Sequence, residues 1–174
     1  MYDKIVVRSS RFVVRGSHQH MSQGSKRTVI AHLVSMIGSW WGIAVATGLV
    51  YLIYPIPAEK LLSYIIWIAV PTVSSELVKF VIKRPRPVMR GEAVKVKAYG
   101  YSFPSSHTVA AFMIASWVLL IPELRAWSYI FIIWPFFVGW SRVWLRAHDT
   151  VDVVGGFGFG ALATVIVWFV QLNP

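Results

Sequence analysis

The chain has 174 residues, enough for one domain, and 56% are hydrophobic, with nine tryptophans and a mean hydropathy of +0.60. A soluble domain of this size does not carry such a load. A formal net charge of +10 on so apolar a chain points to anionic lipid or a phosphate substrate rather than nucleic acid, and the absence of cysteine excludes disulfides and thiol chemistry.

The first 28 residues show neither an apolar h-region nor a small-residue cleavage site, so a cleavable signal peptide is not expected. Within them Lys4, Arg8, Arg11 and Arg15 recur at helical spacing on one face, and Ile5, Val6, Phe12 and Val13 lie largely away from it. That is the pattern of an amphipathic helix lying on anionic lipid; a disordered basic tail is the plainer alternative. Residues 1–28 are read as this basic segment and 29–174 as a membrane-embedded domain.

A helix crossing a bilayer needs about 20 mostly apolar residues. Five stretches qualify: 29–53, 60–82, 105–122, 126–145 and 150–172. Pro55 and Pro57 break the first connection, Pro85 and Pro87 end the second helix, and Pro122 with Glu123 and Arg125 breaks the third connection. The expected fold class is all-α, a polytopic membrane helix bundle of about five transmembrane helices plus the N-terminal interfacial helix. Trp40, Trp41, Trp127 and Trp144 suit aromatic belts or simple packing. His32 reads as a satisfied core residue, and His18 and His20 as solvated. Gly156 and Gly160, spaced small-xxx-small inside the last stretch, read as helix packing rather than as a nucleotide loop.

Five spans put the N-terminus, the 83–104 loop and the 142–149 turn on one side of the membrane. That side holds 15 of the 17 Lys and Arg residues; only Lys60 and Arg125 face the other. Such a bias places the loop-rich side in the cytoplasm.

Three segments at helix ends on that side carry the chemistry: Lys79 to Pro87 (KFVIKRPRP), Pro104 to His107 (PSSH) and Ser141 to Asp152 (SRVWLRAHDTVD). Together they supply the cations Lys79, Arg86 and Arg142, hydroxyls from Ser105 and Ser106 at a helix start with unpaired N–H groups, and two histidines, His107 and His148. Guanidinium forks and a helix N-terminus suit phosphate oxygens. Asp152 follows His148 by four residues, within reach of the imidazole on a helical turn. A carboxylate on one ring nitrogen fixes the tautomer and makes the other nitrogen the better nucleophile. Polar residues at this density are costly near a bilayer, so a functional site is the default reading. Glu76, one turn before Lys79, reads as the partner of a nearby cation, with tuning of Lys79 the weaker reading. Asp149 does not fit the orienting spacing.

The pattern is Lys, six residues, Arg-Pro; then Pro-Ser-X-His; then Ser-Arg, five residues, His, three residues, Asp. It resembles the type 2 phosphatidic acid phosphatase superfamily over roughly residues 60–170, all three motifs matching in order and spacing. The departure is Ser106, where that family usually has glycine; serine still offers its backbone N–H. The resemblance implies that His148 attacks phosphorus to form a phosphohistidine, Asp152 orients His148, and His107 protonates the leaving oxygen. It also implies that Lys79, Arg86, Ser105, Ser106, His107 and Arg142 hold the phosphate, with no metal and no other cofactor. The family usually shows six spans, so its first helix is missing here or replaced by the basic tail.

A lipid phosphatase is thus expected, with an anionic phospholipid or lipid A as partner, a membrane location, and neither nucleic acid nor an obligate protein partner. A vanadate-dependent oxidase and a non-catalytic basic anchor are the competing classes; the small membrane body opposes the first and the complete motifs the second. Short bacterial members act on lipid A, undecaprenyl diphosphate or phosphatidylglycerol phosphate, and the overall impression is of the small lipid A 1-phosphatases. Lys83, Arg84, Arg90, Lys95 and Lys97 are candidate contacts to a large anionic head group. The resemblance places the site on the periplasmic side of the bacterial inner membrane, against the charge bias.

Overall fold

The computed structural model describes residues 26–39, 42, 44–45, 48, 57–120 and 128–172. Five α-helices are delimited among them: α1 (Lys26–Ile37), α2 (Ala58–Ile82), α3 (Ser106–Leu120), α4 (Ser128–Trp144) and α5 (Thr150–Leu172), and Gly42, Ala44, Val45 and Gly48 are helical as well. A single 3₁₀ turn, Pro87–Arg90, interrupts the irregular segment between α2 and α3. The chain is all-helical over these residues, as expected. The interfacial helix expected in residues 1–28 lies almost wholly outside the described residues.

The first expected span is not one uninterrupted helix. α1 stops at Ile37 and the chain turns at Gly38 and Ser39, where the Ser39 hydroxyl caps the Met36 carbonyl. The turn brings Gly42 against the Ile37 backbone, so close that a Cβ there would lie 2.2 Å from the Ile37 oxygen. Only glycine fits that approach.

α3 is the central helix, packed against α2, α4 and α5, while α1 leans on α4. Val109, Ala110, Ala111, Met113, Ala115 and Val118 bury most of its circumference, as an all-round apolar helix must. Its core partners are Tyr64, Trp67 and Ile68 of α2 and Ala163 of α5. Close approach of α5 depends on glycine. A Cβ at Gly156 would stand 2.9 Å from both the Ser105 carbonyl and Thr108 Cβ, and one at Gly160 3.0 Å from Phe112. The small-residue spacing thus serves packing, and it seats α5 against the start of α3 where the site lies.

The outward faces are apolar. Ile30 and Leu33 of α1, Ile66, Val73, Leu77 and Phe80 of α2, Ile133 and Phe136 of α4, and Leu162 and Val165 of α5 are all exposed. An apolar surface this extensive needs a lipid or another apolar cover. Among the described residues one segment, Leu62–Arg90, is long and apolar enough to cross a membrane; Ser106–Leu119 and Thr150–Ile166 are apolar but shorter.

Candidate active site

The site forms where the ends of α2, α3, α4 and α5 meet. α2 ends at Ile82 and is capped by Lys83, whose left-handed backbone turns the chain, and Pro85 and Pro87 keep the segment beyond it extended. The extended strand carries Arg86 inward. Its Nε donates to the carbonyls of Tyr99 and Gly100 at 3.1 and 2.9 Å, and Nη1 donates to the Ala147 carbonyl at 2.9 Å. One guanidinium therefore ties the α2–α3 segment to the α4–α5 turn. Two backbone bonds close the same junction: Ser102 N–H to the Arg84 carbonyl at 2.8 Å, and Ser105 N–H to the Asp152 carbonyl at 2.9 Å.

His148 lies in the α4–α5 turn, only 2% exposed. Its Nε2 is 2.9 Å from Arg86 Nη1, and its Nδ1 is 3.5 Å from Asp152 Oδ2. A guanidinium nitrogen can only donate, so Nε2 must present its lone pair and the proton must sit on Nδ1, facing Asp152. The Asp152–His148 separation is longer than a formed hydrogen bond, within a short movement of one. Burial, with the charges of Arg86 and Arg142 added, pushes the His148 imidazole down to about 4 against the pull of Asp152. The ring is therefore neutral near pH 7, and its Nε2 lone pair can act as a base or nucleophile once Arg86 turns away.

Asp152, fully buried in the first turn of α5, is held from several directions. The Ser102 hydroxyl and the Asp149 N–H donate to Oδ2, the latter at 2.9 Å, and Arg84 Nε pairs with Oδ1 at 3.1 Å. Asp149 meets Arg84 at 3.2 Å and Arg90 at 2.9 and 3.0 Å, and the Arg90 bonds hold its carboxyl below the usual carboxylate range.

The phosphate-type groups converge as the sequence expects. Lys79, Arg86, Ser105, Ser106 and Arg142 are all buried, and His107 lies half-buried at the start of α3 in the field of Arg142, His148, Lys79 and Arg86. Lys79 Nζ and the Ser106 hydroxyl both donate to Glu76 Oε1. Arg142, 6% exposed, donates through Nη1 to the Ser35 hydroxyl of α1, while its Nε is buried without a hydrogen-bond partner. A buried guanidinium with an unused donor is a costly arrangement that an incoming anion relieves.

Of the five candidate head-group cations, Arg84 is engaged with Asp149 and Asp152, and Arg90 with Asp149 and Glu92. Lys95 stands over the Trp144 ring, 4.2 Å from its centroid, and Lys83 and Lys97 are exposed. Trp144 also stacks on Trp140, so it packs. His32 is satisfied by the Thr28 carbonyl at 3.0 Å. Sequence reasoning passed over Ser102 and Ser35. Neither sits in a recognisable motif, and each meets its partner across many residues of chain.

The PAP2 superfamily model matches residues 60–173, which takes in all three motif segments. The chain belongs to the PAP2 superfamily. Two curated relatives match part of it. The Rhizobium johnstonii lipid A 1-phosphatase is 43% identical over 72 residues, 38% of this chain and 28% of that protein. The bacitracin transport permease protein BcrC of Bacillus licheniformis is 34% identical over 68 residues, 39% of this chain and 32% of that protein. The matched segments thus span about a third of these relatives or less. Two crystal structures share the fold. The Bacillus subtilis transmembrane PAP2-type phosphatidylglycerolphosphate phosphatase superposes with TM-score 0.70 at 24% identity, covering 88% of this chain and 81% of that one. Aquifex aeolicus LpxE superposes with TM-score 0.67 at 22% identity, covering 84% of this chain and 88% of that one.

Proposed function

We propose that this PAP2 protein is a membrane phosphatase that hydrolyses a phosphate ester or anhydride on a lipid. The observation that carries the reading is the cluster of three buried cations, Lys79, Arg86 and Arg142, beside a neutral His148 whose Nε2 lone pair faces Arg86. Three cations beside one nucleophile fit an anionic group of high charge at the attacked centre. The apolar outer faces supply the lipid setting, and bring the site to a substrate anchored in the bilayer.

In the proposed reaction Arg86 releases His148 to bind a phosphoryl oxygen, and Nε2 attacks phosphorus. The negative charge of the bound phosphate offsets that of the cations around His107 and lets its ring take up a proton from solvent, which it delivers to the departing oxygen as the P–O bond to the lipid breaks. The phosphate stays on His148, whose Nδ1 proton faces Asp152. Water then attacks the phosphohistidine; its proton passes to His107, and inorganic phosphate leaves. Lys79, Arg86 and Arg142, with Ser105 and Ser106, hold the phosphoryl oxygens throughout. Those cations take the part a divalent metal plays elsewhere, and their charge opposes binding one.

The lipid proposed is lipid A, cleaved at its 1-phosphate, supported by the 43% identity to the Rhizobium enzyme of that name. Undecaprenyl diphosphate and phosphatidylglycerol phosphate are the alternatives. The bacterial inner membrane is the proposed location, with the site toward the periplasm. The test is phosphate release from the three lipids by purified protein in EDTA. Release is expected from lipid A at the highest kcat/KM, unchanged by the chelator. Preference for another of the lipids would replace the substrate, and a loss restored by Mg²⁺ would overturn the metal-free mechanism.

A further inference from the structure

Glu76 lies one turn before Lys79 on α2, and its Oε1 accepts from Lys79 Nζ at 2.8 Å and from the Ser106 hydroxyl at 2.5 Å. These two donors come from different helices and converge on a single carboxylate oxygen. Both are assigned above to the substrate phosphate. The Glu76 oxygen therefore takes the place on these two donors that a phosphoryl oxygen would take. Unlike the groups around it, the Glu76 side chain keeps 45% of its surface exposed, so it can withdraw toward water when another anion arrives. Arg86 and Arg142 have no such anionic occupant: Arg86 is spent on carbonyls and the His148 ring, and Arg142 on Ser35. A bound phosphate would thus meet three cations and one carboxylate of its own sign.

We infer that Glu76 competes with inorganic phosphate for Lys79 and Ser106 and so weakens the hold of the site on its product. The inference rests on the phosphate-holding role proposed for these two residues. Its physical basis is double. A phosphate must displace the carboxylate to reach both donors, and the displaced carboxylate still repels the anion across a short, partly solvated distance. A site with three buried cations and no such competitor retains phosphate after turnover and is inhibited by it. An ester substrate feels the same competition, but recovers binding from its lipid part, which free phosphate lacks. Glu76 therefore discriminates against product more than against substrate.

The test is the inhibition constant of inorganic phosphate, measured on lipid phosphate release by wild type, Glu76→Gln and Glu76→Asp. Gln keeps the shape and an accepting oxygen but removes the charge; Asp keeps the charge. The constant is expected to fall by about tenfold for Glu76→Gln, the scale of one nearby unit charge in a partly solvated site, and to stay near wild type for Glu76→Asp. A residue that merely holds Lys79 and Ser106 in place would give the opposite sign, because its loss would loosen the donors. An unchanged or higher constant for Glu76→Gln, in a protein whose wild type does release phosphate, overturns the inference alone. Absence of phosphate release by the wild type removes the reading of the site and this inference with it. Protection of the same proteins against thermal unfolding by phosphate gives the affinity without turnover, and Glu76→Ala serves in the same way should the Gln variant fail to fold.

Discussion

Replacing His148 by alanine is expected to abolish lipid phosphate release while the protein still binds its lipid. The expectation rests on the position of the ring. His148 is the histidine with the Asp152 carboxylate behind one nitrogen and the Arg86 guanidinium before the other. Alanine removes the attacking atom but leaves Lys79, Arg142 and the apolar faces that hold the substrate. Loss of the nucleophile in a comparable covalent mechanism costs on the order of 10⁶-fold in kcat. Burial, reinforced by Arg86 and Arg142, holds the wild-type imidazole at about 4, so the ring is mostly unprotonated through the ordinary histidine range. The acid limb that His148 imposes on kcat/KM should therefore fall below the ordinary histidine range. Turnover of the variant near the wild-type rate would remove His148 from its role.

His107→Ala is expected to behave differently, because a general acid matters in proportion to how poor the leaving group is. A sugar or glycerol alkoxide needs a proton as it departs, whereas p-nitrophenolate is stable without one. General acid catalysis contributes about 10²–10⁴-fold. His107→Ala should lose a factor of that size on the lipid and far less on p-nitrophenyl phosphate. His148→Ala should lose both alike, since no leaving group replaces a nucleophile. The comparison needs a wild type that accepts the aryl ester and is limited by phosphoryl transfer to the enzyme. Equal losses for the two variants on both substrates would end the division of labour between the histidines.

Much of this architecture is legible in the sequence because its signals are local. The expected 60–82 and 150–172 elements appear as Ala58–Ile82 and Thr150–Leu172. An apolar run bounded by proline, or opening after a polar turn, leaves little freedom in where a helix starts and stops. The interruption of the first span is not legible because hydropathy does not register a local turn: 29–53 carries no charged residue, yet α1 ends at Ile37 with a turn at Gly38 and Ser39, and Gly42, Ala44, Val45 and Gly48 are helical again. The motif residues were legible for a related reason. Lys79 to Arg86, Ser105 to His107 and His148 to Asp152 are each set by spacing within one short segment, and the helix ends bring the segments together. Glu76 was legible as a cation partner at one helical turn, and the structure adds Ser106 as its second donor.

The remaining contacts had no local signal. Ser102 meets His148 across 46 residues, Arg84 meets Asp149 across 65, and Arg142 meets Ser35 across 107. Such pairs depend on how irregular segments settle between helices, and a serine in a loop looks the same whether or not it holds an aspartate. Arg84 and Arg90 show the same limit. Both were visible as cations beside a phosphate motif, and nothing in their spacing announced the carboxylates that engage them. Those bonds brace the turn that carries His148, so the local charge serves geometry as well as any substrate.

The central claim is that phosphate passes through a covalent bond to His148. The stereochemical course at phosphorus tests it most directly, on a substrate whose transferred group is made chiral by oxygen isotopes and sulfur. Two successive in-line displacements, first by His148 and then by water, each invert the centre, so net retention of configuration is expected. Net inversion would mean that water attacks the lipid phosphate in one step, and would contradict the phosphohistidine.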